Sequence, residues 1–368
     1  MIPSNVNLHP TFKRRAFLCT AALAPSASVL GMPGLAVSAE SQQDHPLTHS
    51  KPRVDLAHLP TPLEELPRLT KRLGGPRLLV KRDDQTGLAL GGNKVRKLEF
   101  LVAQAIAEGA DTLVTSGSIQ SNHCRQTAAA AARIGLRCVL LLGGKNPGGM
   151  SEGNLLLDRL LGAEVRFGEQ TLEDVAKTLR AAGRRPYVIP IGGSNAVGAT
   201  GYVAAMEELS DQLKQRSDNV DWIVVPTGSG GTQSGLAVGA RSLGFAGKIL
   251  GIGVGEPVDE TKQRLTPIAN ATARHLNLSE RFKPGDFEVN SDFLGGGYGV
   301  MGDLERKTIR MVAETEGLLL DPVYTGRAFG GLVELTKKGF FRKEETVLFW
   351  HTGGMPELFV SEYAGSLL

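Results

Sequence analysis

Cysteine is scarce, with three in 368 residues, at Cys19, Cys124 and Cys138. That is too few for a disulfide framework, and the spacing matches no metal site, so no structural or catalytic metal is expected. Cys124 and Cys138 should be reduced and buried, or joined at most in one bond without catalytic meaning. Aromatics make up only 5% of the chain, while the apolar share of 41% is ample for one large or two medium α/β domains. Net charge is nearly absent too. The formal +3 comes from Lys13, Arg14 and Arg15, and without them it falls to 0, which leaves no basic surface for nucleic acid. No long apolar run is free of breakers: the most apolar stretch near the start carries Pro25, Gly31, Pro33 and Gly34, which excludes a spanning helix and stable membrane anchoring.

What is present begins with a leader. Residues 1–39 hold no acidic residue, place Arg14-Arg15 ahead of Phe17-Leu18, and end in Val37-Ser38-Ala39. This is the layout of an export signal of twin-arginine type with a small-residue cleavage site, and it implies a periplasmic protein; a basic leader with no targeting role would leave it cytoplasmic. Twin-arginine export carries folded proteins, which suits a chain that takes up a ligand before leaving the cytoplasm.

Beyond Pro60 short β-branched or leucine-rich runs alternate with longer helical patterns, the signature of parallel-rich sheets wrapped by helices. Strands are expected at 78–81, 112–116, 137–142, 164–167, 187–190, 222–226, 249–254 and 347–351. Helices are expected at 95–108, 121–134, 154–161, 172–182, 198–213, 233–243, 303–316 and 326–338. The 46 glycines cluster in loops after apolar runs, where open α/β sheets bind ligands. The organisation read from this is a smaller domain, residues 86–191, inserted into a larger one built from 40–85 and 192–368, with the site in the cleft between them. Residues 40–59 read as an exposed connector and first turn.

Several loops carry chemistry. In Gly91-Gly92-Asn93-Lys94 the lysine opens an amphipathic helix beside exposed amides, which lowers its preference for the charged form and suits an amine used covalently; on spacing alone such a lysine is more often a solvated surface charge. Ser121 and Asn122 stand at another helix entrance, as caps or as ligand contacts. His123 and Cys124 are adjacent, so on a helix they diverge and make no nucleophile–base pair. Thr227-Gly228-Ser229-Gly230-Gly231-Thr232 follows an apolar strand and opens a helix, a phosphate cup without the Lys-Ser/Thr ending of a nucleotide P-loop. Tyr298 and Tyr324 lie among small residues, available to stack on a ring or to serve as core aromatics. Thr352 follows the last strand.

Taken together, GGNKVRKLEF (91–100), SIQSNHCRQTAA (118–129), PYVIPIGGSNAVGATGY (186–202) and LDPVYTGRA (320–328) resemble the pyridoxal-phosphate enzyme family that comprises 1-aminocyclopropane-1-carboxylate deaminase and D-cysteine desulfhydrase. The resemblance runs from Leu56 to Phe359. It implies a two-domain, tryptophan-synthase-β-like α/β fold (fold type II), pyridoxal 5′-phosphate as cofactor and a homodimer. It further implies that Lys94 carries the cofactor and then acts as base at Cα, that Asn122 bonds the cofactor's phenolic oxygen, and that Thr227 through Thr232 hold its phosphate with added charge from Lys97. Ser121 would contact the substrate carboxylate or assist proton transfer, and Tyr298 and Tyr324 would flank the ring and the reacting carbon.

Deaminases of this family place a glutamate after the DPVY tyrosine, where this chain has Thr325, and an apolar residue where it has Thr352. Both hydroxyls point to a good thiolate leaving group rather than a cyclopropane ring. The expected reaction is therefore α,β-elimination from a small amino acid, D-cysteine to hydrogen sulfide, pyruvate and ammonia; deaminase and L-cysteate sulfo-lyase activities are the alternatives. Two other classes compete. An exported amino-acid binding protein would not need Lys94, and a dinucleotide oxidoreductase would need an acidic partner that the loop after Pro226 lacks.

Overall fold

The computed structural model describes residues 47–148, 151–168 and 170–367; the leader assigned to residues 1–39 lies outside the described residues. The chain enters through β1 (Leu63–Glu65), α1 (Pro67–Leu73), β2 (Arg77–Arg82) and α2 (Lys94–Ala107). Strand–helix units follow: β3 (Thr112–Ser118), α3 (Asn122–Ile134), β4 (Arg137–Gly143), α4 (Gly153–Leu160), β5 (Glu164–Phe167), α5 (Leu172–Ala181), β6 (Pro186–Val188) and α6 (Ala196–Arg216). The remainder comprises β7 (Trp222–Thr227), α7 (Gly231–Ser242), β8 (Lys248–Gly253), α8 (Val258–His275), β9 (Glu288–Asn290), α9 (Asp303–Glu316), α10 (Thr325–Lys337), β10 (Thr346–His351) and α11 (Ser361–Leu367).

Two sheets result. The smaller has the order β5-β4-β3-β6 and is parallel throughout; the larger has the order β1-β2-β10-β7-β8-β9 and is parallel except for β1. The smaller sheet comes wholly from residues 112–188 and the larger from the segments on either side, and the described residues belong to one compact unit. β7 and β10 are buried at every position, as the near-continuous apolar runs Trp222–Pro226 and Val347–Trp350 require of central strands covered on both faces. In β4 the pleat sorts side chains by period two: Leu140 and Leu142 pack with Leu98 and Ala128 from α2 and α3, while Val139 and Leu141 pack with Val175 and Leu179 of α5.

All eight expected strands and all eight expected helices are present, with ends moved by a few residues. The sequence reading omits β1 and β9, three-residue edges with too little pattern to register, and α1 and α11, which are barely two turns long. It also omits α8, which holds Pro267, a residue that ordinarily breaks a helix. The helix runs through it, since Leu265, Ala269 and Ala273 recur on one face and bury there.

One reading needs correction. From Leu47 onward the segment expected to be an exposed connector is tied down. Leu47 N and Thr48 Oγ1 donate to the Glu207 carboxylate at 2.7 and 2.6 Å, Leu56 N and Ala57 N donate to Glu99 at 3.1 and 2.9 Å, and Leu56 is buried. The cause lies elsewhere in the chain. Glu99 on α2 and Glu207 on α6 are both buried, and a buried carboxylate needs donors.

Candidate active site

A cavity of about 290 Å³ opens where strands of both sheets end: Gly117 and Ser118 close β3, Pro226 and Thr227 close β7, Val254 follows β8 and Thr352 follows β10. Of the residues singled out from the sequence, Lys94, Ser121, Asn122, Thr227, Gly228, Ser229, Gly230, Thr232, Tyr298, Tyr324 and Thr352 line it. Lys97, Gly231 and Thr325 do not form its wall. No group of three or more metal-ligating side chains is present among the described residues.

Lys94 is placed by the turn before it. Gly92 sits at φ +124°, and a Cβ there would lie 3.2 Å from the Thr352 carbonyl oxygen while overlapping the Gln126 amide, so only glycine lets the chain pass into α2. Lys94 Nζ donates to Asn93 Oδ1 at 2.8 Å, and Asn93 Nδ2 donates to Thr232 Oγ1 at 3.0 Å, which links the lysine to the start of α7. Burial pushes the amine down to about 8, against the pull of Asp321 and Glu357 and with help from Arg125. The amine also lies 5.9 Å from the centroid of the Tyr324 ring.

The glycine loop forms a cradle at the N-terminus of α7. Gly230 adopts φ +92°, and a Cβ on Gly231 would stand 2.7 Å from Ser194 Oγ and 2.9 Å from Lys97 Nζ. First-turn amides have no partner within their own helix, so this end presents N–H groups and positive potential to an anion. Ser194 braces the cradle, donating to Ser229 Oγ at 2.8 Å and accepting from Gly231 N at 3.1 Å. Lys97 lies beneath the loop, 1% exposed, with Nζ on the Gly192 carbonyl at 3.0 Å. Burial and the neighbouring Lys94 hold its amine far below the usual lysine range, and its bond to Gly192 supports the loop from below.

At the entrance of α3, Ser121 is the N-cap: its Oγ accepts from Cys124 N at 3.2 Å, which leaves the hydroxyl proton for another acceptor. Asn122 Nδ2 donates to Glu357 Oε1 at 2.5 Å, and Asn122 Oδ1 accepts from Asn154 Nδ2 at 2.9 Å. His123 shares a 2.8 Å hydrogen bond with Thr115 Oγ1; burial, with Lys94 and Lys97 near, pushes the imidazole far below its ordinary range, so it is neutral. Cys124 and Cys138 are free and buried, and burial raises both thiols, which leaves no nucleophilic thiolate here.

Tyr298 and Tyr324 face each other, with hydroxyls 2.5 Å apart and rings edge to face. Burial raises both phenols, so they stay protonated at neutral pH. Thr325, which stands where deaminases carry a glutamate, shares its hydroxyl with Asp321: its Oγ1 donates to Asp321 Oδ1 at 2.6 Å and accepts from Asp321 N at 2.8 Å. Asp321 spends its carboxylate on the amides of Val323, Tyr324 and Thr325 at the start of α10, so the two residues lock the DPVYT turn. Thr352 lines the cavity.

The sequence reading missed Glu357, Asn154 and Ser194. Ser194 stood within a quoted motif, and Glu357 is the lone acid of the turn MPELF, a signal that acquires meaning only through burial.

The sequence pattern of the pyridoxal-phosphate dependent enzymes matches residues 54–353. A D-cysteine desulfhydrase of Klebsiella pneumoniae (strain 342) is 44% identical over 320 residues, 84% of this chain and 95% of that protein. Among solved structures, an ACC deaminase homologue is similar at TM-score 0.80 and 38% identity, covering 87% of this chain and 97% of that one. The processed form of threonine deaminase isoform 2 from Solanum lycopersicum shares the fold at TM-score 0.62 and 16% identity, over 87% of this chain and 85% of its own. This chain belongs to the pyridoxal-phosphate dependent enzymes and uses pyridoxal 5′-phosphate as its cofactor.

Proposed function

We propose that the protein eliminates the β-thiol of D-cysteine, releasing hydrogen sulfide, pyruvate and ammonia. The observation that carries this is Lys94, an amine held near pH 8 at one side of a cavity whose other side is a glycine cradle at a helix N-terminus. The residues fit the cofactor. The loop packs so closely on Ser194 and Lys97 that a Cβ on Gly231 would strike both, its helix N-terminus suits a phosphate, and Asn122 offers a donor for a ring oxygen. When bound, the cofactor supplies an electron sink for the pair released at Cα.

The chain's own groups do the rest. Lys94 Nζ, freed from its partner, takes the Cα proton. The Ser121 hydroxyl, its oxygen already used as a cap, directs its proton to the substrate carboxylate. The protonated phenols of Tyr298 and Tyr324 donate toward the departing sulfur. Among the described residues the one carboxylate lining the cavity, Glu256, is paired with Arg264. A site without a free carboxylate suits a thiolate that leaves readily over a ring that must be opened, and the 44% identity to a desulfhydrase supports the same choice.

The test is to purify the protein with cofactor, record its visible spectrum beside Lys94→Ala, and assay sulfide and pyruvate from D-cysteine, L-cysteine, L-cysteate and 1-aminocyclopropane-1-carboxylate. Sulfide from D-cysteine, with the variant down by at least about 10³-fold and its spectrum altered, is the expected result. Turnover of another of these compounds in preference replaces the substrate named here. We further propose a homodimer with a small amino acid as its substrate, exported to the periplasm; Arg14-Arg15 and the Val37-Ser38-Ala39 ending support the export.

A further inference from the structure

Glu357 is a large acid placed where an acid is expensive. It is 1% exposed, it follows the Gly353-Gly354 turn at the edge of the cavity, and its carboxyl accepts from Asn122 Nδ2 at 2.5 Å. The charged groups nearest it are Asp321, Arg125 and Lys94, and it bears on the phenols of Tyr298, Tyr324 and Tyr363.

A carboxamide on a cavity wall can adopt either of two flips, which exchange a donor for an acceptor. Here a directed chain removes that freedom. The Gln120 backbone carbonyl accepts from Asn154 Nδ2 at 2.9 Å, which fixes that amide with its nitrogen inward. The same nitrogen donates to Asn122 Oδ1 at 2.9 Å, and Asn122 Nδ2 then donates to Glu357. Reversing Asn122 would set nitrogen against nitrogen at Asn154. One N–H of Asn122 is left uncommitted, on a side chain that lines the cavity.

We propose that Glu357 is a positioning residue: with Asn154 it holds the Asn122 carboxamide in the single orientation that presents an N–H to the cofactor ring. The proposal rests on the assignment of Asn122 to the ring oxygen. Burial, and then Asp321, push the Glu357 carboxyl well above the usual range, which disfavours a second negative charge beside the ring. It acts through its acceptor oxygen and not through charge.

The readouts are the cofactor dissociation constant and the pH midpoint of the bound cofactor's visible absorbance, for Glu357→Gln, Glu357→Ala, Asn154→Ala and Asn122→Ala. Gln keeps an acceptor of the same reach, so its midpoint should stay within about 0.3 units of wild type, while Glu357→Ala and Asn154→Ala move it by about one unit and weaken cofactor binding roughly tenfold. Adding Glu357→Ala to Asn122→Ala should change nothing more. An unchanged Glu357→Ala beside a shifted Asn122→Ala overturns the role of Glu357 alone. An unchanged Asn122→Ala overturns the assignment of Asn122 as well. A Gln variant whose midpoint moves by about one unit from wild type assigns the effect to charge and overturns positioning; because Gln conserves shape, that comparison with wild type holds even where Ala unfolds the protein.

Discussion

The cavity is held from two sides by buried carboxyl groups in opposite circumstances. On the side of the larger sheet, Asp83 is fully buried and receives five donors: Thr61 Oγ1 at 2.9 Å, Arg96 Nε and Nη2 at 2.9 and 2.8 Å, the Tyr202 hydroxyl at 2.6 Å and Trp350 Nε1 at 2.7 Å. Arg96 also grips Glu208, which Lys81 contacts in turn. Burial alone would raise these acids, yet Arg96 and Lys81 more than offset it, lowering Asp83 and taking Glu208 to about 2. On the side of the smaller sheet, Glu357 has its bond from Asn122, and both oxygens of fully buried Asp158 lack a hydrogen-bond partner among the described residues. Burial wins there, raising Glu357 and taking Asp158 to about 7. The difference shows that an interior carboxyl is an anchor where donors converge on it and a neutral, adjustable group where they do not. Arg96 sits two residues after Lys94, so the anchored side is also the one that fixes the lysine.

The largest expected effect comes from breaking the anchor. Asp83→Ala strands Arg96 beside an unmatched cavity and should cost about 3–5 kcal/mol in urea denaturation. The acid side has a sign as well. Glu208 has a folded value near 2 against an ordinary 4.5, so its stabilising contribution is complete above about pH 5 and vanishes as pH falls toward 2.

Asp158 should behave in the reverse sense. Its folded value of about 7 exceeds the ordinary 3.8, so the folded state binds the proton more tightly, and wild-type stability declines as pH rises from about 4 to about 7. Asp158→Asn cannot titrate. Relative to wild type it should gain about 2–3 kcal/mol between pH 5 and pH 8; parallel stability curves for the two proteins would place Asp158 with the anchored acids and dissolve the contrast.

The smallest effect is kinetic. With the Lys94 amine at about 8, roughly a tenth is unprotonated at pH 7, against a few parts in ten thousand at the ordinary lysine value. Stopped-flow loading of pyridoxal 5′-phosphate onto the stripped protein should therefore accelerate with pH and level off above about 8. A rise continuing toward pH 10 would mean that burial does not set this amine.

Much of the fold was legible because its central strands and long helices are strongly patterned: Val347–Trp350 is apolar at every position, and Leu172–Ala181 is capped by Thr171 with Asp174 answering it. The glycine loop at 227–232 and Lys94 after Gly91-Gly92 were legible for a local reason, since backbone freedom and helix ends are properties of a few consecutive residues. That the Thr325 hydroxyl is shared with Asp321, four residues earlier, could not be read locally. Nor could the burial that lowers the Lys97 amine, since a lysine reads as a cation until its surroundings are known.

By itself, then, the sequence determined the alternation of strands and helices, the residues that could cradle a phosphate or offer an amine, and the family to which they belong, since each depends on the order of neighbouring residues. Tertiary structure alone decided which polar groups are paired. Asp83 and Trp350 meet across 267 positions and Asn122 and Glu357 across 235, and the ionisation of a buried carboxyl follows from how many donors such distant segments bring to it.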